Sequence, residues 1–319
     1  MKIISIMFSP VFVCLPEMAV RPMKKNGFRI FALCALVAAM ILSHSVAFSA
    51  DRGLLYRYHF ADTPEYRIKL PSSLREISGL AVSEAGKLFA HDDELSTVFQ
   101  LDPRSGKVLK KFHVITARWY GKGRIEDDFE DIAVAGNRFF LVTSSGTLYE
   151  FREGKNEEKV QAEVYKTGLG KSYEVEGLCY DPVSDALLLS CKKSAEKKGF
   201  RKTDERPVFS FPLASMTLRK SPRFIVDART VAASAGKKGF KPSAISRHPV
   251  SGTFFLLSAE SRLIAEIDAG TGSLLNVFAL PAVYHPQPEG MVVMPDNTLL
   301  ISSEDILQGT VSAYSMRSK

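Results

Sequence analysis

The chain has 319 residues, 45% of them apolar and 24% charged, the balance of an ordinary globular fold with ample material for a large core. Its formal charge of +7 is concentrated at the start: five cations against Glu17 give residues 1–50 a net +4, so residues 51–319 carry only +3. That surplus excludes a charge-based case for nucleic acid as a partner.

Residues 1–50 have the layout of a targeting segment. Arg21, Lys24, Lys25 and Arg29 precede an apolar run from Ile30 to Leu42, and small residues around Ala47 and Ala50 supply cleavage positions. Thirteen apolar residues are short for a membrane span, so this stretch reads as a signal peptide or, if uncleaved, an N-terminal anchor. The expected location is outside the cytoplasm: the periplasm or the outer face of the inner membrane. Cys14 and Cys34 fall in this leader, leaving Cys179 and Cys191 for residues 51–319. Pairing Tyr180 with Leu187 across the Asp181-Pro182 turn sets Cys191 opposite Glu176, so no disulfide is expected.

Leu54 to Phe60 alternates enough to be read as a strand. Five similar units follow, each starting with a short strand, a turn and a second, apolar strand. They begin near Ile77-Ser-Gly-Leu80, Phe129-Glu-Asp-Ile132, Val175-Glu-Gly-Leu178, Ser243-Ala-Ile245 and Glu289-Gly-Met291. Further β runs, such as Thr97–Asp102, Thr147–Phe151 and Leu263–Asp268, complete the units. With Ser78, Glu130, Glu176, Ser243 and Glu289 aligned, the intervals are 52, 46, 67 and 46 residues. Such a period, built from short strands without helical periodicity, predicts one all-β domain over 51–319. The fold expected is a five-bladed β-propeller of four-stranded antiparallel blades, closed by Tyr56–Phe60 joining the last blade. The long third interval holds two charged stretches, Lys192–Arg206 and Val231–Lys241, read as loop insertions.

In a propeller the first strand of each blade lines the axis, so Glu130, Glu176 and Glu289 converge on a central channel. Carboxylates crowded there repel one another and lose solvation. A hard cation relieves both costs, and oxygen ligands favour Ca²⁺. Asp93, Glu260 and Glu304, just past second strands, are candidate supplementary ligands. The alternative is that each Glu caps a neighbouring backbone or pairs with a basic side chain. His248, in a His-Pro turn, reads as structural, whereas His285 is placed to reach the channel mouth. Trp119-Tyr120, among Arg118, Lys122 and Arg124, is either a ligand contact or packing. No nucleophile elbow, zinc-protease or phosphate-loop motif is present.

These phrases, with Leu257-Ser-Ala-Glu-Ser-Arg262, Pro286-Gln-Pro-Glu-Gly290 and Ile301-Ser-Ser-Glu304, resemble the SdiA-regulated (YjiK-like) family and, more distantly, NHL-repeat proteins. The resemblance spans about residues 70–315. It implies a calcium-binding five-bladed propeller, exported or tethered at the inner membrane, with no established activity. The reading is a monomeric binding module for a protein, glycan or envelope component. The rival is a Ca²⁺-dependent hydrolase similar to lactonase propellers, against which stand the serines at 78 and 243.

Overall fold

The computed structural model describes residues 53–318 apart from 94, 119–120, 126, 196–203 and 306–307. The leader of residues 1–50, the Trp119-Tyr120 pair and most of the charged loop after Lys192 lie outside the described residues. Among those described, no helix is long and apolar enough to cross a membrane.

The chain builds five sheets in sequence order. A short strand β1 (Tyr66–Lys69) comes first. Blade 1 contains β2 (Ile77–Val82), β3 (Leu88–Asp92), β4 (Thr97–Leu101) and β5 (Val108–Arg118), with β6 (Gly121–Arg124) folded back on β5. Blade 2 contains β7 (Phe129–Ala135), β8 (Arg138–Thr143) and β9 (Thr147–Arg152). The next strand, β10 (Lys159–Gln161), pairs in parallel with β5 of blade 1, and β11 (Glu163–Lys166) then completes blade 2. Blade 3 is β12 (Val175–Asp181), β13 (Ala186–Cys191), β14 (Glu205–Pro212) and β15 (Phe224–Asp227). Blade 4 is β16 (Ala244–Arg247), β17 (Phe254–Ser258), β18 (Leu263–Ile267) and β19 (Leu274–Ala279). Blade 5 is β20 (Gln287–Val293), β21 (Leu299–Glu304) and β22 (Thr310–Tyr314), with β1 as its outermost strand. This is the expected five-bladed propeller.

The first strands form a closed ring, β2 touching β7 and β20, β12 touching β7 and β16, and β16 touching β20. The core is divided into five apolar layers, one between each pair of neighbouring blades. That arrangement explains the unbroken apolar runs. Leu187 and Leu189 of β13 enter the layer shared with blade 2, while Leu188 enters the layer shared with blade 4. Phe254 and Leu256 of β17 face blade 3, and Phe255 and Leu257 face blade 5. A strand buried on both faces has no polar side to show.

Three expectations are corrected. Leu54–Phe60 is not a strand: Leu55–Tyr58 is a 3₁₀ turn, and the closing strand is Tyr66–Lys69. The turn is held because the buried Glu266 carboxylate of β18 accepts the N–H groups of Leu54 and Leu55, each at 2.8 Å. The same carboxylate accepts from Thr253 Oγ1 at 2.7 Å and Asn276 Nδ2 at 2.9 Å, so β18 and β19 hold the acceptor that fixes the turn. Leu55 and Tyr58 then drop side by side into the layer between blades 4 and 5. Second, Val231–Lys241 is not all loop. A helix α1 (Ala228–Ser234) starts at Asp227, whose side chain accepts from the N–H groups of Arg229 and Thr230, and it buries Ala228, Val231 and Ala232. Third, Cys191 pairs with Val175 rather than Glu176, because β12 carries one extra residue there. Both cysteines are free and buried.

Candidate functional site

The extra residue in β12 is one instance of a rule. In β7, Phe129 and Asp131 oppose consecutive residues Thr143 and Val142, leaving Glu130 unpaired. In β12, Val175 and Gly177 oppose Cys191 and Ser190, leaving out Glu176. In β2 and β20 the same one-residue excess falls across Ser78-Gly79 and Glu289-Gly290. Four of the five inner strands thus bulge at the repeated Glu or Ser, and a bulge turns its side chain out of the pleat. The glycines that follow have a steric cause. A Cβ on Gly177 would lie 2.8 Å from Ile245 N of blade 4, and one on Gly290 would lie 2.6 Å from Ser78 O of blade 1. Inner strands approach too closely there for any side chain. Blade 2 has Asp131 instead of glycine. Its buried carboxylate accepts the Leu178 N–H of blade 3 at 2.7 Å and so ties two inner strands together.

The bulges deliver their side chains to one cavity of about 700 Å³ at one end of the axis. Glu130, Glu176 and Glu289 line it from the inner strands, and Asp93, Glu260 and Glu304 from the second-strand exits of blades 1, 4 and 5, with Ser78 and Ser243 between them. All six sequence-derived candidates therefore line one cavity, and among the described residues no three of the six bring ligand atoms within 4.8 Å of one another. Asp128 and Glu174 add two further carboxylates, and Lys192, Lys241 and Arg262 are the cations of the lining. Eight carboxylates against three cations leave the cavity strongly acidic. The opposite axial mouth is apolar, lined by Leu80, Ile132, Leu178, Ile245 and Val292.

Electrostatics divide the acids into two kinds. Glu176 is 5% exposed and accepts a hydrogen bond from Lys192 Nζ at 2.9 Å. Burial still raises its pKa, with Lys192 pulling the other way. Glu130 has no hydrogen bond or ion pair among the described residues, and burial, Glu176 and Asp128 raise its pKa far above the ordinary carboxyl range. Burial and then Glu304 raise Glu289 to about 8. Glu304 is raised to about 7, first by burial and then by Asp93, although Gln287 Nε2 donates to it at 2.6 Å. Glu260 is peripheral, bonded to Lys241 Nζ at 2.6 Å with most of its side chain exposed. The donors facing the cavity are hard oxygens, the chemistry Ca²⁺ selects. Among the described residues the trio whose ligand atoms lie within 4.8 Å of one another is Glu76, Asp92 and Asp93, beside the cavity.

Among the described residues no histidine lines the cavity. His285 is buried and bonds Tyr314 Oη at 2.7 Å, so it does not line the mouth as expected. His248 Nδ1 accepts the Val250 and Ser251 N–H groups, which leaves its proton on Nε2 to be donated to Tyr58 Oη at 2.9 Å. The sequence reading did not assign Lys192, Lys241 and Arg262 to the site. Lys192 was detectable as the blade 3 counterpart of the acidic second-strand exits.

The match to known proteins agrees with this architecture. Residues 61–307 match the SdiA-regulated family. The chain belongs to that family. No curated protein is matched by the chain. Among solved structures, this SdiA-regulated protein is similar to the glutaminyl cyclase of Myxococcus xanthus, with a TM-score of 0.54 and 16% identity over 79% of this chain and 94% of that one. It also aligns with a luciferin-regenerating enzyme (TM-score 0.48, 12% identity, 78% and 95% covered). A third alignment is with virginiamycin B lyase from Staphylococcus aureus (TM-score 0.40, 12% identity, 79% and 74% covered). The first likeness supports the fold, and none carries an activity across.

Proposed function

We propose that this protein is an exported binding module whose acidic axial cavity holds a divalent cation, Ca²⁺ by the hardness of its donors. Through that ion it would bind an oxygen-rich protein, glycan or envelope component. The observation that supports the reading is the delivery of Glu130, Glu176 and Glu289 by repeated bulges into one cavity that Glu304 and Asp93 also line from the second-strand exits. Glu130 and Glu289 are the residues to hold the ion, since among the described residues neither has a basic side chain bonded to it as Glu176 has Lys192. A bound dication supplies the positive charge that lets these carboxyls ionise at neutral pH.

Thermal unfolding and elemental analysis of the purified protein test this. Millimolar Ca²⁺ is expected to raise Tm, and metal should remain with the protein after gel filtration. An unchanged Tm with no retained metal ends the proposal. The hydrolase reading is favoured only by the raised carboxyls, which resemble poised acids. It predicts Ca²⁺-dependent cleavage of a lactone or aryl ester that disappears in Glu176→Gln.

A further inference from the structure

A second concave surface lies at the opposite end of blade 3. Glu176 marks the acidic end of β12, and the turn at 182–185 lies at that strand's other end. Beside this turn, between Ser184 and Gly270, is a hollow of about 1010 Å³ floored by the connection from β14 to β15. The connection is anchored. Leu213 N–H bonds Asp185 O at 3.0 Å, Met216 N–H bonds Pro212 O at 3.0 Å, and Leu213, Met216 and Leu218 pack on the layer between blades 2 and 3.

The sheet edge then dictates what the hollow displays. Arg219 N–H bonds Ser210 O at 2.9 Å and Arg223 N–H bonds Val208 O at 2.8 Å. Those carbonyls are two positions apart on β14, but the two donors are four positions apart, so the three residues between them, Lys220-Ser221-Pro222, must bow outward. Pro222, lacking an N–H, loses nothing at an edge. Arg219, Lys220 and Arg223 are all exposed and line the hollow, and no carboxylate is among its lining residues. Among the described residues neither Arg219 nor Lys220 has a carboxylate partner, and Arg223 reaches only the Ala269 carbonyl, at 3.4 Å. In a domain with a surplus of only +3, three uncompensated cations in one concavity are a local excess. The Ser210 and Ser221 hydroxyls add donors.

We propose that this hollow binds a phosphorylated ligand through Arg219, Lys220 and Arg223. Guanidinium forks match the geometry of phosphate oxygens, and several cations favour a multiply charged anion over a single carboxylate. The hollow is much larger than one phosphate group, so the anion belongs to a larger body, either a soluble phosphate ester or a lipid headgroup.

The test measures the full chain against pyrophosphate by calorimetry, and against phosphatidylglycerol vesicles by co-sedimentation with phosphatidylcholine vesicles as reference, at physiological salt. The variants are R219A/K220A/R223A and the control K237A/K238A, which removes exposed charges elsewhere. The triple variant touches only exposed side chains and should keep its Tm. Binding of either probe, weakened about tenfold or more in the triple variant and retained in the control, supports the site. Pyrophosphate alone assigns a soluble ester, and vesicles alone assign a headgroup. Binding of neither probe, or equal loss in both variants, overturns the proposal without touching the acidic cavity.

Discussion

Glu130 and Glu176 occupy equivalent bulges yet meet different fates. Lys192 neutralises Glu176 directly, at 2.9 Å, whereas Glu130 faces Glu176 and Asp128 with no basic group among the described residues bonded to it. Ionising Glu130 at neutral pH therefore works against burial and two like charges at once. Glutamine reproduces the shape of the protonated acid and removes that opposition. Glu130→Gln should raise Tm at pH 8 by about 2–4 °C without divalent cation, equivalent to ~1 kcal/mol in a domain of this size. At pH 5, where the acid is already protonated, it should change little. The same variant should blunt any rise in Tm with Ca²⁺; a full Ca²⁺ response in Glu130→Gln would remove this residue from the proposed ion site.

The bulge is the element that makes the repeat functional, and its glycine is as constrained as its acid. A methyl group on Gly177 would meet backbone atoms of Ala244 and Ile245, which cannot move without spreading β12 from β16. Gly177→Ala should cost roughly 1–3 kcal/mol, as overpacked cores do. This would appear as a lower urea midpoint at unchanged m-value. Gly239→Ala, where a Cβ meets nothing within 4 Å, is the control and should be neutral. Much of this was legible in the sequence. The Glu-Gly and Ser-Gly phrases marked the inner strands, and runs such as Phe139–Val142 read as strands although both faces are buried. The bulge itself was not, because a period-two pattern has no symbol for one extra residue; the omission moved Cys191 opposite Glu176 and hid the contact of Lys192 with that acid. Over Leu54–Phe60 the pattern is ambiguous, because Leu55 and Tyr58, three apart, suit a 3₁₀ turn as well as alternation suits a strand. The distant carboxylate of Glu266 decided between them. The true closing strand is four residues long with only Ile68 buried, too little signal to stand out. Helix α1 did carry its signals, the Asp227 cap and apolar residues at 228, 231 and 232, within a stretch whose Ala, Gly and Lys content reads as loop.

At the scale of the molecule, β1 pairs with β22 and so joins the start of the propeller to its end, making the ring one cooperative unit whose stability integrates every titrating group. Two sets act in opposite directions. His91, His248 and His285 are buried, and burial lowers each to about 4 from an unfolded value near 6.5. Groups with depressed histidine values favour the folded state fully above pH 6.5, and their contribution fades as pH falls toward 4. The axial carboxyls run the other way. Glu289 and Glu304 are raised to about 8 and about 7 from 4.5, and Glu130 and Glu176 are raised with them. Their contribution is complete below pH 4.5 and is lost as pH rises through those folded values. Between pH 4.5 and 6.5 the sets oppose each other and the profile should be shallow. Above 6.5 the histidines have finished titrating, so Tm should decline steadily to pH 9 in the presence of a chelator. A cation bound among the carboxylates is linked to their ionisation, so its stabilisation must grow over that interval. Scanning calorimetry from pH 5 to 9, with chelator and with Ca²⁺, should give two curves that coincide in acid and separate progressively above pH 6.5. Curves that stay superimposed to pH 9 would mean that the acidic cavity stabilises its charges by water and Lys192 alone.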